Sequence, residues 1–428
     1  MKKLVFGSLL LTVATVSFSQ NVDKIINAKE AERIERVLAS DEMKGRKTFS
    51  PEIDKAADFI AAEFKAAGLQ TWENSGSFLQ KFAIYGTKQT SLDATLDGVK
   101  ADPKNIVVVT TQPELKVTAA SGYENAHIKA GGNIFQEANT LAQSKKNLIV
   151  WVDTSFTKNF PRLTFLKRGS FKREYNIIFV LATQEAKDFS IEAKHEITEQ
   201  KLQNVVGIIP GKSKKDEYVI FSGHYDHIGV GKPVNGDSIF NGANDDAAGT
   251  TAVILLAKYY KALKNNERTL VFAAFTAEEV GGYGAQYFSK QFDPAKVVAM
   301  MNIEMIGTDS KWGKNSAYIT GYEKTDMGTI LQKNLEGTGF SFYPDPYPDQ
   351  QLFYRSDNAT LARLGVPAHT ISTSKMDSEP NYHKVSDHVE TLDMDNMSMI
   401  IKSIALSARS IVAGKDTPSR VKVDELTR

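Results

Sequence analysis

Apolar and polar positions divide the chain into stretches of different period. Between residues 200 and 413, short apolar runs recur at 204–209, 218–222, 270–275, 298–305, 317–320 and 368–372. Stretches of helical period lie between and after them, at 247–263, 325–335, 358–364 and 393–413. Runs such as Leu270-Val271-Phe272-Ala273-Ala274-Phe275 are apolar on both faces, as in strands at the middle of a helix-covered sheet. The pattern predicts an α/β fold: a mixed, largely parallel central sheet with helices on both faces. In such sheets chemistry gathers at the C-terminal ends of the strands.

The earlier part of the chain reads differently. Residues 28–38 are apolar at helical spacing, and Ser50-Pro51-Glu52 starts a second helix. That helix carries Ile53, Ala57, Ile60, Ala61 and Phe64 on one face, and Gly68 stops it. Residues 75–195 alternate β-branched runs (106–109, 148–152, 177–181) with polar turns, which predicts an inserted β-rich or mixed domain. Substrate shaping and a purely structural insert are the two roles left open for it. His127 and His195 fall in this stretch without acidic neighbours at ligand spacing, and both read as surface residues. The expected division is 1–19 signal peptide, 20–74 helical segment of the main domain, 75–195 insert, 196–414 main domain, and 415–428 a polar, disordered tail.

Composition narrows the picture. A length of 428 residues exceeds one average domain, and an apolar fraction of 42% suffices for a packed core. A net charge of +1 offers no footprint for nucleic acid or an anionic membrane. Lys2 and Lys3, the apolar run 4–16, and the small residues Ser17 and Ser19 form a secretory signal, with cleavage expected before Gln20. The product is expected outside the cytoplasm, periplasmic or secreted. No later segment is apolar enough to span a bilayer. Cysteine is absent, so there is no disulfide, no thiolate metal site and no lipid anchor after the signal. Any metal is held by His, Asp and Glu, which suits an open catalytic zinc site.

The residues of that type stand at the ends of the apolar runs. His224 and Asp226 follow the strand at 218–222, where alternation places them on one face. Asp226 is then expected to orient the His224 ring, while His227 faces the other way, in packing or the pocket wall. Asp245 sits in the tight turn Asn241-Gly242-Ala243-Asn244-Asp245-Asp246, where helix capping is the competing reading. Glu278 and Glu279 end the most apolar strand. Two adjacent acids there are costly to ionise together unless a dication is near. Glu279 is expected as metal ligand and Glu278 as general base. Glu304 is a lone acid inside an apolar run, and buried acids need partners. His383 is the last expected ligand, with His388 its rival on the same loop; His369 lies inside a predicted strand and reads as core.

Taken together, these motifs resemble the co-catalytic zinc aminopeptidases, a group that includes bacterial leucyl aminopeptidases, glutamate carboxypeptidases and glutaminyl cyclases. The segment from Asp41 to Arg46, with the helix after it, is similar to the family's N-terminal part. The resemblance implies two zinc ions, with His224 and Glu304 on one side, Glu279 and His383 divided between the ions, and Asp245 bridging. It implies a cis peptide at Asp245-Asp246. Asp226, Asp246, Asp387 and Arg355 are expected around the ligands or in the pocket wall. Glu304 stands where the family usually has Asp, and Asn358 where it commonly has His. The activity implied is release of N-terminal residues from peptides. A carboxypeptidase or dipeptidase, a single-zinc glutaminyl cyclase, and a non-catalytic binding protein on the same fold are the alternatives. Peptides are the expected partners, with neither nucleic acid nor a membrane anchor; the oligomeric state is open.

Overall fold

The computed structural model describes residues 22–426. The expected signal peptide, 1–19, lies outside the described residues. The chain forms two compact units. One takes the chain up to Lys81 and again from Gln203 onward, and the other is Phe82–Leu202.

The first unit is built on a sheet whose order is Ser341–Pro344, Ser316–Ile319, Ala368–Ser372, Val297–Ile303, Lys214–His224, Arg268–Phe275 and the end of Phe189–Ile209. Lys214–His224 pairs in parallel with both Arg268–Phe275 and Val297–Ile303, and Val297–Ile303 pairs in parallel with Ala368–Ser372. Antiparallel pairs flank this parallel centre: Arg268–Phe275 with the end of Phe189–Ile209, and Ser316–Ile319 with Ala368–Ser372. Every residue of Arg268–Phe275 and Val297–Ile303 is buried.

Alternation along these strands distributes their side chains to two cores. Val219, Phe221, Leu270 and Phe272 join a cluster with Ile34, Phe64, Leu255 and Ile404, from the helices of one face. Ile220, Val271, Ala273 and Phe275 join Phe288, Leu361 and Ala362 on the other. The fold is therefore mixed α/β with helices on both faces of a largely parallel sheet. Ala248–Leu263 is the central helix and is buried along almost its whole length. Removing a fully buried side chain such as Phe272 costs about 3–5 kcal/mol by loss of transfer energy and creation of a cavity. The parallel strands put His224, the Glu278-Glu279 pair and Glu304 on one side, because each stands at or just beyond the C-terminal end of its strand.

The second unit holds a four-stranded sheet ordered Ile106–Val109, Ile177–Leu181, Leu148–Val152, Glu124–Ile128. The last three run parallel, and the helix Ile134–Ala142 makes one crossover between them. His127 lies at the surface with Nε2 3.0 Å from Glu185. His195, expected at the surface, is buried instead, at 6% exposure. The reason is period: Phe189, Ile191, Ala193 and His195 are alternate residues of one strand and share its buried face.

The expected disordered tail is ordered up to residue 426. Arg268, fully buried, donates from Nη1 to the carbonyls of Ile411 (2.7 Å) and Asp416 (2.6 Å), and from Nη2 to Thr417 Oγ1 (2.6 Å). Val421 is buried, and its N–H bonds to Gly365 O at 3.1 Å. A polar composition concealed these bonds because their acceptors are mostly backbone carbonyls, which any sequence supplies.

Candidate metal centre

His224 is the last residue of its strand and is 1% exposed. Its Nδ1 lies 3.1 Å from the Asp226 carbonyl. A carbonyl only accepts, so Nδ1 carries a proton there, and Nε2 faces the centre, 3.3 Å from Asp245 Oδ1. The Asp226 carboxylate does not take the expected role. Its Oδ1 is 3.8 Å from the ring. It accepts instead from Glu278 N (3.0 Å), Glu279 N (3.3 Å) and Thr48 Oγ1 (2.9 Å).

Asp245 follows Gly242, whose φ is +58° and where a Cβ would fall 2.5 Å from the His227 ring. Asp387 holds this loop by accepting from Asn244 N (2.9 Å) and Asp245 N (3.1 Å). The Asp245-Asp246 peptide is cis. Asp246 points back into the protein. It accepts from Gly249 N (2.9 Å), Met305 N (3.0 Å) and His224 N (3.2 Å), tying together the three backbone segments that carry Asp245, Glu304 and His224.

Glu279 receives two imidazoles: His227 Nδ1 at 2.8 Å from Oε1, and His383 Nε2 at 3.3 Å from Oε2. His383 Nε2 is also 3.1 Å from Asp245 Oδ2, and its ring stacks on Tyr382 at 3.9 Å. His227 therefore faces the centre, contrary to expectation. The strand ends at His224, so the alternation used to turn His227 away no longer applies three residues on. His388 lies apart, 3.3 Å from Asp237. His369 is buried, with Nδ1 donating to Thr320 O at 2.8 Å. Asn358 is buried too, its amide donating to the Phe353 and Ala368 carbonyls.

The electrostatics are those of a crowded acidic site. Burial, against the pull of His224, holds the Glu278 carboxyl well above its ordinary value, and the Glu304 charge adds to this. Burial also raises Glu304. Burial opposes ionisation of Glu279 as well, but the bonds from His227 and His383 overcome it and bring the group to about 2. Bonds to Asp245 and Glu279 push His383 up to about 10. Glu304 Oε2 and His227 Nε2 are buried without a hydrogen-bond partner among the described residues. Two sets of ligand-type atoms lie within 4.8 Å of one another: His224, Asp245 and Glu304, and His227, Asp245 and Glu279. Asp245 belongs to both. The N/O donor set, its orphaned buried atoms and its excess of carboxylates fit divalent cations of the zinc type. Beside Glu304 a pocket opens, walled by Tyr318, Leu352, Arg355, Ser356, Met376 and Tyr382.

Known proteins resemble this chain in sequence and in fold. A "Probable leucine aminopeptidase" of Trichophyton verrucosum is 31% identical over 204 residues, 45% of this chain and 53% of that protein. A "Probable zinc metalloprotease" of Pyrenophora teres f. teres is 34% identical over 139 residues, 32% of this chain and 29% of that protein. The chain thus spans about half the length, or less, of these curated relatives. Among solved structures, an aminopeptidase from Aneurinibacillus sp. strain AM-1 superposes with a TM-score of 0.54 at 17% identity, covering 95% of this chain and 98% of that one. A Peptidase M28 precursor from Shewanella amazonensis SB2B gives 0.56 at 16% identity, covering 96% and 99%. These two share the fold. The resemblance read from the scattered motifs is supported in sequence as well as in fold: residues 204–408 match the model of Peptidase family M28.

Proposed function

We propose that the chain is a zinc-dependent aminopeptidase that holds two metal ions and releases N-terminal residues from peptides. The carrying observation is that Asp245 belongs to both ligand sets, while Glu278, an acid that fits neither, stands within electrostatic reach of His224 and Glu304. His224 and Glu304 would hold one ion, and Glu279 and His383 would be shared out around the other, with Asp245 between them. His227 joins Glu279 as a further donor on that side. When bound, the ions supply Lewis acidity toward the scissile carbonyl and the attacking water.

The chain's own residues do the rest. Glu278 takes a proton from water as its oxygen forms a bond to the carbonyl carbon. It returns that proton to the leaving amine as the C–N bond breaks. Glu304, at the pocket wall, anchors the substrate's free amine. The pocket receives the first side chain. Asp226, Asp246 and Asp387 keep the backbone of the acid-bearing turns in place. The segment expected at 75–195, which falls mostly within the unit Phe82–Leu202, is an inserted domain, and the product is exported to the periplasm or beyond. Among the described residues, no helix is long and apolar enough to cross a membrane.

One observation favours a second reading. Arg355 lines the pocket, bonds only to Gln350 Oε1 (3.2 Å), and has no carboxylate partner among the described residues. A guanidinium so placed suits a substrate carboxylate, as a dipeptidase or carboxypeptidase requires. The purified protein should be assayed for zinc and run against aminoacyl anilides, N-blocked peptides, dipeptides and N-terminal glutaminyl peptides. Turnover of anilides with about two zinc ions per chain supports the aminopeptidase. Turnover confined to blocked peptides or dipeptides replaces it with the second reading, and absence of zinc removes both.

A further inference from the structure

Arg46 lies beneath the candidate metal centre and touches none of its ligand atoms. It is fully buried. Its Nε donates to Tyr225 O (2.7 Å), Nη1 to Leu38 O (2.6 Å) and Asn241 O (2.7 Å), and Nη2 to Gly242 O (2.8 Å). Tyr225 follows His224 in the chain, and Asn241 and Gly242 lead into Asp245. One guanidinium therefore joins two loops that bring ligands from different parts of the sequence. Its backbone does the same: Arg46 O accepts from His227 N at 3.2 Å.

Neighbouring residues of the same segment repeat the pattern. Thr48 Oγ1 donates to Asp226 Oδ2 at 2.9 Å, and through Asp226 reaches the Glu278-Glu279 backbone. Asn241 Nδ2 donates to Ala39 O (3.0 Å) and Asp41 Oδ1 (2.9 Å). The segment is shaped for this contact. Lys44, Gly45 and Arg46 all have positive φ, a run that tertiary contacts must sustain. A Cβ on Gly45 would fall 2.2 Å from Phe240 O and 2.9 Å from Gly229 Cα, so only glycine lets the turn lie so close. The Arg46 charge acts first on buried Glu35, then on Asp387, Asp226 and Asp245.

We infer that residues 38–48 form a clamp in which Arg46 is a positioning residue: it fixes the His224 and Asp245 loops at the separation that binds metal, and so sets the metal affinity of the centre. The inference rests on the metal-binding reading of His224 and Asp245. Lysine cannot replace Arg46, because a single ammonium cannot span carbonyls on opposite sides as a planar fork does. Thr48 is a milder handle on the same clamp, since valine keeps its shape and loses only the donor.

The test measures zinc affinity of the purified full chain by competition with a chromophoric chelator, beside kcat and KM on one anilide and the unfolding temperature of the metal-free proteins. Arg46→Met and Arg46→Lys should each weaken zinc binding by about tenfold to a hundredfold, as loss of ligand-orienting contacts does elsewhere. Thr48→Val should weaken it by a few-fold, about two to five, and lower kcat at unchanged KM, because the clamp touches no pocket residue. Glu35→Gln, which leaves all four guanidinium bonds in place, should bind zinc like the parent. Parent-like zinc affinity in Thr48→Val and in any folded Arg46 variant, with only the unfolding temperature lowered, overturns the clamp. Should Arg46 variants fail to fold, Thr48→Val decides alone. A parent chain that binds no zinc defeats the metal reading itself, a result distinct from either.

Discussion

The carboxylate of Asp226 accepts the backbone N–H of Glu278 at 3.0 Å, and its second oxygen accepts that of Glu279 at 3.3 Å. A residue 52 positions away thus holds the turn on which the proposed base and a proposed ligand stand. The Asp226 carboxylate was expected to steer an imidazole; it steers a backbone instead, and the His224 ring is held by the Asp226 carbonyl. Asp226→Asn keeps one acceptor and sets an amide N–H against a backbone donor. It should lower kcat by about tenfold to a hundredfold. Steady-state kinetics with zinc analysis checks this, and unchanged kcat would show that the turn holds itself.

Glu278→Gln separates chemistry from metal binding. It keeps the side-chain volume and removes the proton acceptor. Zinc content and unfolding temperature should stay near those of the parent, while turnover falls by about a hundredfold to ten-thousandfold. A variant with parental turnover removes Glu278 from the mechanism.

Removing metal should act on stability as well as on rate. The cluster gathers buried carboxylates at Asp226, Asp245 and Asp246, with the His224 ring 3.8 Å from Asp226 and 3.3 Å from Asp245. Dialysis against a chelator should abolish activity and lower the unfolding temperature. Zinc restored to a hundred times its dissociation constant should return about 2.7 kcal/mol. Calorimetry with and without zinc measures this, and equal unfolding temperatures would contradict it.

Glu63 makes a pH-dependent contribution away from the site. It takes Arg33 Nη1 and Nη2 at 2.9 and 3.0 Å and Lys258 Nζ at 2.6 Å, joining the helices Ala28–Leu38, Pro51–Ala66 and Ala248–Leu263. Partial burial works against its charge, but the bonds from Arg33 and Lys258 win and lower its pKa. A lowered carboxylate stabilises the fold above its unfolded value and loses that contribution as pH falls through the folded one. Arg33 is 41% exposed, so solvent screening limits the network to about 1 kcal/mol or less. Glu63→Gln should therefore unfold earlier than the parent at pH 7, and the gap should close as pH falls below about 4. A gap that persists in acid would mean the loss is packing, not charge.

Much of the first unit was legible in the sequence, because doubly apolar runs have one good solution. The strands at 270–275 and 368–372 appear in the structure, the first extended to Arg268–Phe275. What escaped was whatever depends on the chain after a strand stops. His227 was turned outward by an alternation that ends at His224, and the Asp226 carboxylate was given to the wrong partner for the same reason. Arg46 could be quoted as part of a motif, but three of its four acceptors are backbone carbonyls 179 to 196 residues on, which no side-chain pattern announces. His195 was the opposite case: strict alternation with Phe189, Ile191 and Ala193 was present in the sequence and pointed inward.

The anchoring of the C-terminal stretch by Arg268 bears on how this protein tolerates trimming. Cutting the chain after Gly414 would leave a guanidinium sealed in the interior with two of its acceptors, Asp416 and Thr417, gone. A stretch that looks expendable by its hydrophilic letters is in effect a stopper, and protease nicks or shortened expression clones ending there should yield aggregation-prone material rather than a leaner enzyme.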